Sequence, residues 1–270
     1  MKKIVFLLLL TTVTITVMAQ MKEGKISYER KVNMHRFITD PEMRARIPEF
    51  RTDKFELLFT EQASLFRTVV DEDAPDPFAN NGGDRGGVRF NFRMPETSTY
   101  TDINNQMQYE SRAMFEKTFL VVDSLKQNKW KISDETKTIA NHVCKKATTM
   151  VAQAAQMRMR FGNGPRAAED TVAPKPKEVE LVVWYTEDIP VSIGPDNYAG
   201  LPGAILEVNT DNGANTITAT EVGTKYPKKE LVQPTKGDKM NRAQYQDAMK
   251  KIMEDMQFGG RMGGIRIRAN

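Results

Sequence analysis

The chain holds a single cysteine, Cys144, and two histidines, His35 and His142. A lone cysteine cannot close a disulfide within the chain, so stability has to come from a hydrophobic core. Together with the histidines it also falls short of the four ligands of a usual Cys/His zinc site. Long apolar runs are missing beyond residue 19. No later segment therefore reaches the roughly 20 apolar residues that a membrane-spanning helix needs. A strong charge of either sign is missing too, since 39 Lys plus Arg face 35 Asp plus Glu. That balance excludes the concentrated basic footprint of a nucleic-acid binder. The sequence contains no G-x-S-x-G, no phosphate loop and no H-E-x-x-H, so no motif nominates a catalytic residue or a cofactor. The reading is non-enzymatic.

What is present begins with a targeting pattern. Lys2 and Lys3 form a short positive region, Ile4–Leu10 is a continuous apolar run, and Val17 and Ala19 stand at the −3 and −1 positions of a small-residue cleavage site. This is the three-part layout of a secretory signal peptide over residues 1–19. Cleavage before Gln20 brings the net charge from +4 to +2 and predicts a periplasmic or secreted protein with no transmembrane segment left.

The remaining chain reads as one β-rich domain, residues 20–257. Lys25–Asn33 alternates, with Ile26, Tyr28 and Val32 on one face of an extended chain. Lys54–Thr60 with Ser64–Val70, and Ser98–Ile103 with Gln106–Ser111, read as hairpins. Lys117–Asp123, His142–Met150, Glu178–Tyr185, Ala204–Thr210 and Ala214–Gly223 continue the series, the last two joined by the tight turn Asp211-Asn212-Gly213. Residues 71–93 and 152–177 are polar, Gly- or Pro-containing insertions, and 258–270 is a Gly/Arg-rich tail. Ala152–Arg160 also has the composition of a short helix. Near the end, Tyr245, Ala248, Met249, Ile252, Met253 and Met256 form one helical stripe over Lys239–Met256. Asn241 and Gln244 resemble a capping box, with Asp238 as the alternative cap. The expected architecture is mainly β with one long C-terminal α-helix: a curved antiparallel sheet, on the pattern of a half-barrel, wrapped round that helix.

His142 and Cys144 share a strand face, and Met157 and Met159 alternate with Arg158 and Arg160. Soft-metal chemistry at these residues is an alternative reading, against a buried thiol and ordinary core methionines. No metal site is assigned.

One block carries a family resemblance. Trp184-Tyr185-Thr186-x-x-Ile189-Pro190, Gly194-Pro195 and Tyr198-x-Gly200-Leu201-Pro202-Gly203-Ala204-Ile205-Leu206, with Ile139–Thr148 upstream, resemble the GLPGLI family of exported proteins found mostly in Bacteroidota. The resemblance implies an exported β-rich protein and no established activity. The motif order is also similar to the curved half-barrels of lipoprotein carriers of the LolA/LolB type. From its residues alone, Gly200-Leu201-Pro202-Gly203 is a turn with Leu201 anchored in the core, and Ala204-Ile205 opens the next strand. The expectation is a binding or carrier-like protein for an apolar ligand, contacted by Trp130, Trp184, Tyr185, Tyr198 and Leu201. The alternative partner is a cell-envelope protein, met through the Gly/Arg strips 82–93 and 259–268.

Overall fold

The computed structural model describes residues 20–38, 40–69, 97–114, 117–153 and 177–259. The expected signal peptide, the insertion 71–93 and nearly all of 152–177 and 258–270 lie outside the described residues. So do the helical reading of Ala152–Arg160 beyond Gln153, Met157 and Met159, and the Gly/Arg strips apart from Gly259.

Alternating sequence produces strands in chain order: β1 (Gly24–Asn33), β2 (Phe50–Phe59), β3 (Ala63–Thr68), β4 (Thr97–Asp102), β5 (Met107–Met114), β6 (Lys117–Ser124), β7 (Lys131–Ile139), β8 (His142–Gln153), β9 (Lys177–Thr186), β10 (Ala204–Thr210), β11 (Asn215–Gly223) and β12 (Asp238–Met240). A helix, α1 (Pro41–Arg46), starts at Pro41, and α2 (Arg242–Gly259) follows β12. All strands join one sheet in the order β12-β6-β5-β4-β3-β2-β1-β11-β10-β9-β8-β7. The first strand thus lies in the middle, antiparallel to both β2 and β11. Residues at positive φ turn the hairpins: Ala140 and Asn141 between β7 and β8, and Asp211, Asn212 and Gly213 between β10 and β11.

Two features overturn the expected architecture. The sheet is mixed, because β12 runs parallel to β6, and it stays open. The β7 end bends until β7 approaches β11, yet no ladder joins those strands among the described residues. The helix is not one long cover for a concave face either. What docks is a short segment, residues 242–252, at the far end of the sheet. Tyr245 packs against Phe119 and Val121, with Met240, Met249 and Ile252 around them. The physical reason is that the main core needs no lid. Side chains of β1, β2, β3 and β8–β11 fill it together with Ile189, Val191, Ile193 and Leu201 from the β9–β10 loop. The described part of the amphipathic stripe, Tyr245, Met249 and Ile252, is satisfied by the small cluster on β6.

Candidate functional site

The loop from Glu187 to Gly203 is built as a second layer on the core. Ile189, Val191, Ile193 and Leu201 are buried in it. The backbone is tied down where the loop enters β10: Ala204 N–H donates to Ile189 O (3.0 Å) and Ile205 N–H to Ile193 O (2.8 Å). The Gly200 N–H donates to Ser192 Oγ at 2.8 Å, and Trp130 Nε1–H donates to Ala199 O at 2.9 Å. Glycine is required at two positions here. Gly200 has φ +94° and sits against Trp130, and a Cβ at Gly203 would come 2.0 Å from the Thr186 carbonyl oxygen. The motif turn is therefore a close backbone crossing, which pins the loop to the end of β9.

Beside that loop lies an ion pair, Arg30 with Asp196, absent from the sequence-based candidates. Alternation along β1 points Ile26, Tyr28 and Arg30 inward, so a guanidinium occupies a core position. Arg30 Nη2 donates to Asp196 Oδ1 at 2.5 Å, and its guanidinium carbon lies 4.4 Å from the centroid of the Phe55 ring. Tyr198 adjoins the pair. Burial raises the pKa of its hydroxyl and the Asp196 charge adds to the rise, while a hydrogen bond with Thr210 and the Arg30 charge oppose it. The Arg30 Nε is buried with no hydrogen-bond partner. The sequence signal for this residue was a charge at an even, inward position of a strand otherwise apolar on that face.

A second cluster surrounds Trp184 on β9. The Lys137 ammonium sits 4.5 Å from the Trp184 ring centroid and donates to Glu207 Oε1 at 2.6 Å. Glu207 lies opposite Trp184 across β9–β10, and Lys137 reaches over from β7, two strands away in the sheet. The lysine thus serves as a cation over the indole and as an ion-pair donor at once.

The structure separates the expected contact residues into two groups. Tyr185 and Leu201 are core side chains, 1% and 3% exposed. Trp130, Trp184 and Tyr198 are half-buried and pack on the outside of that core. Of the motif residues, Gly203, Ala204 and Ile205 are buried, while Gly200 and Pro202 are exposed. Trp130 and Leu201 meet the loop as anchors, and Tyr198 joins Arg30 and Asp196. His142 and Cys144 do not present a paired set of ligands. The Cys144 thiol is fully buried and donates to His142 O at 3.5 Å; burial pushes its pKa up to about 11. The His142 ring is engaged through Nδ1 with Asp188 Oδ2 at 2.8 Å. Among the described residues no group of three or more His, Cys, Asp or Glu side chains is placed to hold a metal ion.

Fold and site together define an open, mixed β-sheet protein with a filled core and a rigid loop edged by half-exposed aromatic rings. Residues 130–207 match the model of a family described as "Protein of unknown function (Porph_ging)". That span runs from Trp130 to Glu207 and so takes in β7–β9, the loop and the start of β10. Two solved structures share the fold: PNGF-II in a C2 space group and PNGF-II in a P21 space group, each at 15% identity and a TM-score of 0.50 over 85% of this chain. The chain spans about a third of their length, 33% and 34%. Nothing matches among the curated proteins. None of these comparisons supports the likeness to lipoprotein carriers expected from the motif order.

Proposed function

We propose that the protein is an exported, non-enzymatic binding protein of the GLPGLI type, which holds an apolar ligand at the rim of the β9–β10 loop rather than inside the sheet. The observation that carries this reading is the division among the aromatic and aliphatic residues of the motif block. Tyr185 and Leu201 belong to the packed interior, while Trp130, Trp184 and Tyr198 keep part of their surface in solvent. The indoles are held in place, Trp130 by its hydrogen bond to Ala199 and Trp184 by Lys137. Aromatic side chains fixed before binding offer large contact area at little entropic cost. Export to the periplasm or medium rests on the pattern of residues 1–19.

The chain has two tryptophans, Trp130 hydrogen-bonded to the loop and Trp184 on β9 three residues before the loop begins, so their emission reports on ligand binding without labelling. The mature protein is titrated with the neutral apolar fluorophore N-phenyl-1-naphthylamine, and energy transfer from tryptophan is followed. Saturable transfer, weakened at least about threefold in Tyr198→Ala, is expected if the rim is the binding surface. Absence of saturation, together with no small molecule extracted by organic solvent from protein purified out of its own envelope, removes the reading.

A further inference from the structure

The Arg30 side chain is 10% exposed and the Asp196 side chain 39%. The pair therefore sits with its cation inside and its anion toward solvent. A guanidinium binds a carboxylate best through two parallel N–H donors on one edge, and Nε with Nη2 forms such an edge. Here that edge is half used. Nη2 donates to Asp196 Oδ1, whereas Nε beside it is buried and unpartnered. Buried donors are nearly always satisfied, and an orphan in a charged group is expensive. The Phe55 ring lies beneath the guanidinium, and the Tyr198 hydroxyl feels the charges of both Arg30 and Asp196.

We propose that the Nε–Nη2 edge of Arg30 is a binding site for the carboxylate group of a ligand, and that Asp196 is a place-holder which such a ligand displaces. The incoming carboxylate takes both donors, Asp196 turns out to the solvent it already faces, and Tyr198 lies against the ligand's apolar part. This inference deepens the binding reading and rests on it for location. The two are tested separately, because the neutral fluorophore does not address the guanidinium.

The test is a nitrogen-15 spectrum of the arginine Nε–Hε groups of the mature protein, with the Arg30 signal assigned by its loss in Arg30→Lys. Hexanoate is titrated at constant ionic strength, against hexanamide and chloride as comparators. The expected result is a saturable shift of the Arg30 signal with hexanoate alone, at a midpoint at least about threefold lower in Asp196→Asn, where the competing charge is gone. Asparagine accepts the positive φ of that position, +55°, and the wild-type titration decides the matter even if the variant folds poorly. No saturable shift in wild type overturns the proposal. So does an equal response to hexanamide or chloride, or weaker hexanoate binding in Asp196→Asn.

Discussion

At the residue scale, burial has a chemical signature in Cys144. Its thiol has no exposed surface, and desolvation is the first cause of the rise in its pKa from 9.0 to about 11. The neutral thiol is the form the fold favours. A pKa raised on folding means that the associated stability is fully present below the unfolded value and is lost as pH climbs through the folded one. The window is therefore pH 9 to 11, and the loss across it is about 3 kcal/mol at most. Urea midpoints of wild type should fall more steeply across that window than those of Cys144→Ala. Tyr28 is also buried and raised by desolvation, and the Cys144 charge adds to that rise; the desolvation part is common to both proteins, while the part coupled to Cys144 is lost with the thiol and adds to the steeper fall of wild type. Parallel slopes for the two proteins would show that the thiol is not desolvated as described. The same burial shows that the shared strand face of His142 and Cys144 does not present two open ligands. Shared parity on a strand states which face two residues occupy, and says nothing of whether that face is open.

At the element scale, α2 begins with a reciprocal pair of hydrogen bonds: Gln244 N–H donates to Asn241 Oδ1 and Asn241 N–H donates to Gln244 Oε1, each at 2.9 Å. Replacing Asn241 by Ala leaves a first-turn donor unpaired and costs about 1 kcal/mol of helix stability. Amide exchange over residues 245–250 should speed up about fivefold, since that energy corresponds to such a factor. Unchanged exchange would mean that docking through Tyr245 alone holds the helix. This cap was legible in the sequence because it needs only residues three apart. The hairpin strands were legible for the same reason, as alternation and turn residues act locally. Less local features were not. β12 is only Asp238–Met240, too short to carry a period, and it joins β6 in parallel because the chain returns from afar. Without that strand, helical periodicity alone points the apolar stripe of α2 at a concave sheet face. Its actual partners, Phe119 and Val121, are neighbours through β12 and β6. For the site, the aromatic residues were visible by type. Arg30, Asp196, Lys137 and Glu207 were not, because each gains its meaning only from a strand or loop far away in sequence.

At the scale of the whole molecule, the long-range pairing decides what can fold alone. β1 joins the two halves of the sheet, with Val32 opposite Asn215 on one side and Arg51 on the other. The Tyr28 hydroxyl donates to Ile205 O at 2.6 Å across that join. Tyr28, Phe55, Phe66 and Ile217 belong to the same core cluster as Tyr185, Ile189 and Leu201. The span that matches the family model, 130–207, contains only the latter group. Cut out, it would expose its inward face and leave the β10 edge unpaired, because β11 would be missing. Fragment 130–207 should therefore lack a cooperative urea transition, whereas residues 20–259 should unfold in one step with refolding slowed by the distant β1–β11 closure. A sharp transition in the fragment would make the matched span a domain in its own right and β1 an accessory to it. A broad one fixes the folding unit at the full sheet. The Arg30–Asp196 pair then bridges the strand that closes that unit and the loop that carries the motif, so loss of the β1–β11 join dismantles core and candidate site together.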